Sequence, residues 1–512
     1  MKRRFLALCS ALALALSLSG CWQDELDEPD AGQLLIDALE DPSAQEEPAA
    51  LPASFSLPYA ADQTLDPITC PDGMQQVVGG LLYEGLFQLS PSLEPQEVLC
   101  SGYTYNPETL TYVFTLRSGV LFSDGSPLIA QDVAQTLQRA KSSSRYGARL
   151  SQVSSISAGQ ESVTVVLSRA NTGFPSLLDI PIVKASTASA AVPVGTGPYA
   201  LVQDGGSARL ERNTHWWKGS ALPVDTISLS AAADRDTMLY QFTSHEVQLI
   251  TADLTGTEPV SVTGSIHFQD ADTTILHYIS FNTQKAPFDN QALRSALSLG
   301  INRASIISAF LSGHGAAAQS PVSPLTSLYP TDLEQDYSYD AFAQAMSQAG
   351  FASGHARSAT LLVNSENSFK VSAATAIAQE LSAFDLNIEV KALPWAEYTA
   401  ALAAGQFDLY YGEIKLTADW DLAALVGTGG GANYSKWADP QTDALLASYA
   451  AASDRAASMH TLCAHLQAEC PIIPICFKST SVLVQDGVVE GLQPTMANPF
   501  YDFSSCTVHL QT

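Results

Sequence analysis

Basic side chains are scarce in this chain: across 512 residues, 24 Lys and Arg stand against 52 Asp and Glu, a formal net charge of -28. A protein that holds nucleic acid or an anionic membrane surface by charge needs the opposite balance. Neither is expected as a partner. Apolar runs long enough to span a bilayer are also missing, since Phe5 to Leu18 falls short of the roughly 20 residues required. The nine histidines are scattered. No G-x-S-x-G, H-E-x-x-H or C-x-x-C occurs, so the common signatures of hydrolases, zinc proteases and thiol redox proteins are absent. The chain is read as a non-enzyme that needs no metal and no cofactor.

The N-terminus carries a recognisable leader. Met1-Lys2-Arg3-Arg4 precedes the apolar run, and Leu18-Ser19-Gly20-Cys21 follows it. A basic start, a short apolar stretch and a small-residue cleavage site make a secretion signal over 1–20. Leu-Ser-Gly-Cys also resembles the bacterial lipobox, which implies a lipidated Cys21 and membrane attachment through its acyl chains, palmitate among them; several chains anchor far more firmly than one. A plain secretion signal that happens to end in cysteine is the alternative. From 22 to 50 the chain is acidic and holds no Lys or Arg. Such a segment repels itself and stays solvated, which suits a tether over 21–50.

The remaining residues exceed one ordinary domain, so two or three lobes are expected. Six cysteines lie in this part: Cys70, Cys100, Cys463, Cys470, Cys476 and Cys506. An even number in an exported chain permits disulfides; Cys70 with Cys100, and pairing among the other four, is the expected arrangement. His460, Cys463, His465 and Cys470 lack tight metal-ligand spacing and sit in a helical pattern, so they are not read as a metal site.

Short β-type runs alternate with helical stretches, the pattern of a mixed α/β protein. Tyr112 to Leu116 reads as a strand and Ala130 to Lys141 as a helix. Later come helices at 234–244, 290–311, 340–349, 372–384 and 396–404, with strands at 360–364 and 387–390. Gly195-x-Gly197-x-x-Ala200 is no dinucleotide fingerprint, because Pro198 to Val202 continues as a strand where a helix would be needed.

The order and wording of several segments resemble solute-binding protein family 5. These are Tyr83-Glu84-Gly85-Leu86, Tyr112 to Leu116 leading into Ser123-Asp124-Gly125 and Ala130-Gln131-Asp132-Val133, then Gly195-Thr196-Gly197-Pro198-Tyr199, Arg212-Asn213 with Trp216-Trp217-x-Gly219, and Pro287-Phe288-Asp289 with Leu293-Arg294-Ser295-Ala296-Leu297. The resemblance implies a bilobal, type II (Venus-flytrap) periplasmic-binding-protein fold with an extra inserted domain. The expected first lobe comprises 51–90, 191–275 and 481–512, the insertion 91–190 and the second lobe 276–480. Closure is expected about a hinge at Gly195, Gly197, Pro198 and Tyr199, and again near 475–485.

By the same resemblance the function is that of a monomeric receptor of an ABC importer, which captures a small solute, most often a peptide, and delivers it to membrane permease subunits. Nickel chelates and other amine-bearing solutes are alternatives, as is a sensor of the same fold without transport. Asp419, following the strand Gln406 to Tyr411, is by that resemblance the expected partner for a ligand ammonium; its position before Trp420 also suits a helix cap. Glu413, Lys415, Trp420, Asn433, Tyr434 and Trp437 complete the expected ligand-binding set. Only Lys415 and Lys436 lie near in sequence to meet a ligand carboxylate, which favours amine-bearing solutes.

Overall fold

The computed structural model describes residues 51–511 except positions 72, 220, 259, 261, 263 and 353; the leader, Cys21 and the acidic tether lie outside the described residues. Three large sheets organise the described residues, beside two two-stranded ones. The first runs Ser56–Tyr59, Thr226–Ala231, Ser207–Arg212, Tyr199–Asp204, with the outer pair Ser56–Tyr59 and Thr226–Ala231 parallel. Leu57, Tyr199, Leu210 and Ile227 pack there against Val78 and Leu81 of the helix Met74–Leu82.

The second sheet is antiparallel: Cys100–Asn106, Thr111–Leu116, Ser162–Leu167, Val153–Ala158. Val133, Leu137 and Ala140 fall on one face of the helix Ala130–Lys141, and that face is buried against Phe114, Val163 and Val165. The periodicity that marks the helix in sequence is therefore the periodicity of its burial.

The third sheet has seven strands: Leu249–Ala252, Ile472–Gln485, Ile266–Phe281, Leu409–Lys415, Arg357–Asn364 and Leu386–Leu393 in order, with Gly315–Ala317 paired to Ile472–Gln485. Ile279, Phe281, Leu361 and Ile377 build the core on one face, Leu276, Tyr278, Tyr410 and Trp420 that on the other. Two strands here are unusually long, 16 residues for Ile266–Phe281 and 14 for Ile472–Gln485, against the usual ~3–10. One end of this pair meets Leu249–Ala252, and the other end of Ile266–Phe281 meets Leu409–Lys415. Register shifts between Asp272 and Ile275, and between His277 and Tyr278, bend the pair midway.

Two expectations change. The helix expected over 290–311 is two helices, Gln291–Leu299 and Arg303–Phe310. Gly300 ends the first where a Cβ would meet Leu381 and Phe342 at 2.9 Å, and the Asn302 side chain accepts from Ser305 N to start the second. Cys100, Cys463, Cys470, Cys476 and Cys506 are buried free thiols, so the expected Cys70–Cys100 bridge and the pairing among the other four are not formed; Cys70 is buried as well. Cys463 belongs to one core, Cys470 and Cys476 to a second and Cys506 to a third. Here they behave as small apolar side chains.

Candidate functional site

Three sequence signatures meet at one carboxylate. Glu84 follows the helix Met74–Leu82, whose last turn gives way to extended backbone at Tyr83. Its Oε2 accepts from Thr196 Oγ1 at 3.0 Å and Trp217 Nε1 at 2.9 Å, and its Oε1 accepts from Trp216 Nε1 at 3.2 Å. Burial raises the Glu84 pKa above the ordinary carboxylate value, with the indole hydrogen bonds and Lys218 opposing that rise. The carboxylate thus ties together segments from around 84, 196 and 216.

Gly195 and Gly197 make that seam possible. A Cβ at Gly195 would sit 2.1 Å from Leu82 O, and one at Gly197 2.5 Å from Leu82 C. Gly197 N donates to Leu82 O at 2.9 Å, Asn213 Nδ2 to Gly197 O at 2.8 Å, Asn213 N to Pro198 O at 2.8 Å and Tyr199 OH to Val224 O at 2.7 Å. The segment expected as a hinge, Gly195, Gly197, Pro198 and Tyr199, is close-packed against Leu82 at the end of the helix Met74–Leu82. Its glycines serve backbone approach rather than freedom of rotation. The chain passes into the seven-stranded sheet along Ile266–Phe281 and Ile472–Gln485 instead.

Beside this seam lies a cavity of 450 Å³, within the range usual for small-molecule pockets. Its wall comes from four parts of the chain: 65–89 with 495–504, the segment from Pro198 to Leu222 through Trp216 and Lys218, the residues Arg145, Tyr146, Arg149 and Asp179, and Lys415, Leu416, Thr417 and Ala418 at the end of strand Leu409–Lys415. Cationic and anionic side chains both reach it, Arg145, Arg149, Lys218 and Lys415 alongside Glu84, Asp179 and Asp502.

Arg145 and Arg149 stand four residues apart on helical turns after Lys141, where Gly147 N donates to Ser143 O and Leu150 N to Tyr146 O. Arg149 is held by Leu177 O, 2.8 Å from its Nε, and by an ion pair with Asp179; its guanidinium lies over the Tyr146 ring at 5.6 Å. Burial brings its pKa down to about 10, so it stays protonated at neutral pH. Arg145 reaches Cys70 O.

Of the ligand-binding residues expected from sequence, Lys415 lines the cavity. Asp419 is buried just beyond: its Oδ2 accepts from Asn171 Nδ2 at 2.7 Å and its Oδ1 from Thr417 Oγ1 at 2.5 Å. It does not cap a helix at Trp420, because the short helix is Ala423–Val426 and Asp421 accepts from Ala423 N. Trp420 has a left-handed φ of 56° and packs edge-on to Phe477 in the core. Asn433 ties its own loop, donating to Gly427 O and Trp437 O at 2.8 Å each. Tyr434 meets Tyr410 edge-on, and Trp437 donates to Thr442 Oγ1 with the Arg294 guanidinium over its ring. Glu413 lies 2.9 Å from His277 Nε2 and 2.8 Å from Lys370 Nζ. Those side chains are spent on the loop after the strand and on its core.

Arg145, Arg149 and Asp179 are wall residues that a linear reading passes over, while Tyr83 and Glu84 enter it only as motif residues. The spacing of Arg145 and Arg149 on helical turns is the one sequence signal for the pair. His460 and His465, once grouped with two cysteines, pair separately with Asp332 and Asp439.

This architecture matches known proteins. A profile of the bacterial extracellular solute-binding proteins, family 5 (middle), matches residues 94–435. The chain belongs to that family. Among solute-binding relatives, the glutathione-binding protein GsiB of Salmonella paratyphi A is 25% identical over 425 residues, 78% of this chain and 81% of the relative. GsiB of Escherichia coli (strain K12) is 25% identical over 386 residues, 71% and 75% of the two chains. Among solved structures, the periplasmic murein tripeptide binding protein MppA in its unliganded open form has a TM-score of 0.75 at 18% identity, covering 90% of this chain and 98% of its own. The nickel ABC transporter from Bacillus halodurans gives 0.73 at 18% identity, covering 87% and 97%. The bilobal fold of family 5 solute-binding proteins is therefore the fold of this chain. Among the described residues no helix is long and apolar enough to cross a membrane.

Proposed function

We propose that this protein is the capture subunit of an ABC importer for short, peptide-like solutes, held in the cavity beside Glu84 and passed to membrane permease subunits. The supporting observation is the make-up of that cavity: 450 Å³ of space walled by the first sheet's segments, by the insertion and by Lys415 to Ala418. A free peptide carries both an ammonium and a carboxylate, and the wall offers both signs of charge. Arg145, Arg149 and Lys415 suit carboxylates, Arg by its planar fork of donors. Asp502 suits the ammonium end, Asp179 being paired with Arg149. This widens the amine-bearing class expected from the lysines near Asp419, since the guanidinium groups arrive from the insertion. The names of the relatives, glutathione-binding and murein tripeptide binding, point to the same size of solute.

In this reading the first lobe with its insertion and the second lobe are the moving bodies. They turn about the bent middle of Ile266–Phe281 and Ile472–Gln485, where Asp270 accepts from Ser481 Oγ at 2.7 Å and Asp272 from Ser479 Oγ at 2.9 Å. A solute that binds the closed form better shifts that equilibrium by its differential affinity. The anchor is Cys21, and Cys21→Ala releases a folded protein from membranes washed with salt. Glutathione and a library of di- and tripeptides test the solute class: a binder raises the melting temperature by mass action, and Arg149→Met removes that rise. Peptides that bind Arg149→Met as well as the parent protein overturn the assignment of the cavity.

A further inference from the structure

Residues 169–173 of the insertion meet residues 419–421 and 449–455 in a contact that the solute-binding reading does not use. Asn171 Nδ2 donates to Asp419 Oδ2 at 2.7 Å, with both side chains buried. Next to it Thr172 N donates to Ala450 O at 2.9 Å, and Arg169 pairs with Asp421 at 2.6 Å on the surface. Each half is held by its own side of the contact. Tyr112 OH donates to Asn171 O at 2.8 Å from the core of the insertion, and Asn171 Oδ1 accepts from Gly173 N at 3.0 Å. Opposite, Tyr449 OH and Arg455 Nη2 donate to Asp419 O at 2.8 and 2.6 Å. Gly173 leaves the space Arg455 occupies, since a Cβ there would lie 2.5 Å from its Nη2.

The insertion is sewn to the first sheet's side by main-chain bonds: Ile182 N to Glu84 O at 2.9 Å, Phe87 N to Leu178 O at 3.1 Å and Ser123 N to Gly195 O at 2.9 Å. Arg139 adds an ion pair to Asp66 at 2.6 Å. Toward the seven-stranded sheet its contacts include the one just described, hydrogen bonds from Ser327 N and Oγ to Glu94 at 3.1 and 2.8 Å, and Leu93, which is buried in the core with Leu276, Tyr278 and Trp420. Apart from Leu93 these contacts are polar and join preformed halves, so they can open and re-form together, whereas the other side is sewn by main-chain bonds.

We propose that residues 169–173 and 419–421 form a clasp that closes the protein without a solute. The clasp rests on the reading of the protein as a receptor that closes about its two long strands. Closure before binding raises apparent affinity, because less of the solute's binding energy goes into moving the lobes.

Small-angle scattering of the solute-free protein tests this, together with hydrogen exchange at the Thr172 amide. Asn171→Ala moves the closed-to-open ratio about tenfold or more toward open, the equivalent of one hydrogen bond to a charged group. It raises the radius of gyration and the exchange rate at Thr172 together. Arg169→Glu, on an exposed side chain, shifts both in the same direction, and the exchange Arg169→Asp with Asp421→Arg restores them. Identical scattering and exchange in the parent protein and all variants overturn the clasp, as does a parent protein already as expanded as Asn171→Ala. Glutathione and tripeptides added to Asn171→Ala separate this failure from that of the receptor reading. A solute that compacts the variant supports the receptor whatever becomes of the clasp, and an opened variant that no solute compacts contradicts the receptor alone.

Discussion

Asn171 and Asp419 lie 248 positions apart in sequence, and the side-chain amide of one donates to the carboxylate of the other across 2.7 Å. Thr417 supplies a further donor to the same carboxylate. Removing the carboxylate leaves both donors unmatched in a buried place. Asp419→Ala therefore lowers the unfolding free energy by about 1–3 kcal/mol, measured by urea denaturation, while Asp419→Asn, which keeps an acceptor, lowers it less. Equal stability of all three proteins contradicts this placement of Asp419.

The seam at 195–199 gives a second prediction. At Gly197 a methyl group would overlap the main chain at Leu82. Forcing the seam apart costs about 1–3 kcal/mol or more, so Gly197→Ala melts at a lower temperature than the parent protein. Gly205 has open space around it but a φ of 55°, and Gly205→Ala costs only its local backbone strain. Calorimetric melting that ranks Gly205→Ala as the more damaging variant would count against a packed seam.

Acid stability follows from the group around Glu413. Burial opposes ionisation of its carboxyl, but His277 and Lys370 outweigh it and hold the pKa well below the ordinary 4.5. Stability from this source is complete above about pH 4.5 and is lost as the pH falls further. Burial depresses the His277 pKa below 6.5, with Glu413 opposing. Protonating that ring favours the unfolded chain as the pH drops under 6.5. Both effects have the same sign, so the unfolding free energy falls on acidification from neutral pH. Glu413→Gln flattens the profile below pH 4.5. Urea titrations from pH 7 to pH 3 with the same slope in both proteins would exclude Glu413 as a source.

The thiols should be silent. Burial pushes Cys463, Cys470 and Cys476 up to about 12, which leaves almost no thiolate at pH 8. In a chain starting at residue 22, a thiol reagent labels none of these three while the protein is folded and all six cysteines once it is denatured. Fewer labelled thiols in the denatured chain would mean that disulfides exist.

Local structure was legible where side chains repeat with the period of their element. The helix Ala130–Lys141 announces itself by its apolar spacing and the strand Arg357–Asn364 by its apolar run, and the helix read at 234–244 is Arg235–Thr243, capped by Asp234. The long strand Ile266–Phe281 was hidden because Asp270 and Asp272 interrupt its apolar pattern, and those acids are paired to Ser481 and Ser479 on the neighbouring strand. Glu84 was visible as a motif residue, yet its role depends on Trp216 and Trp217, more than 130 positions away. The close approach of Gly195 and Gly197 to Leu82 was not legible, because glycine permits both free rotation and close packing and Leu82 lies more than 110 positions away.

The central claim is that a short, peptide-like solute occupies the cavity between the insertion, the first sheet's segments and Lys415 to Ala418. Native mass spectrometry of the protein, purified without refolding and incubated with glutathione and a di- and tripeptide library, tests it most directly. The account predicts a one-to-one complex with a member of that set, released on unfolding and lost in Arg149→Met. A protein that flies at its own mass with every member, or that keeps its ligand in Arg149→Met, contradicts it.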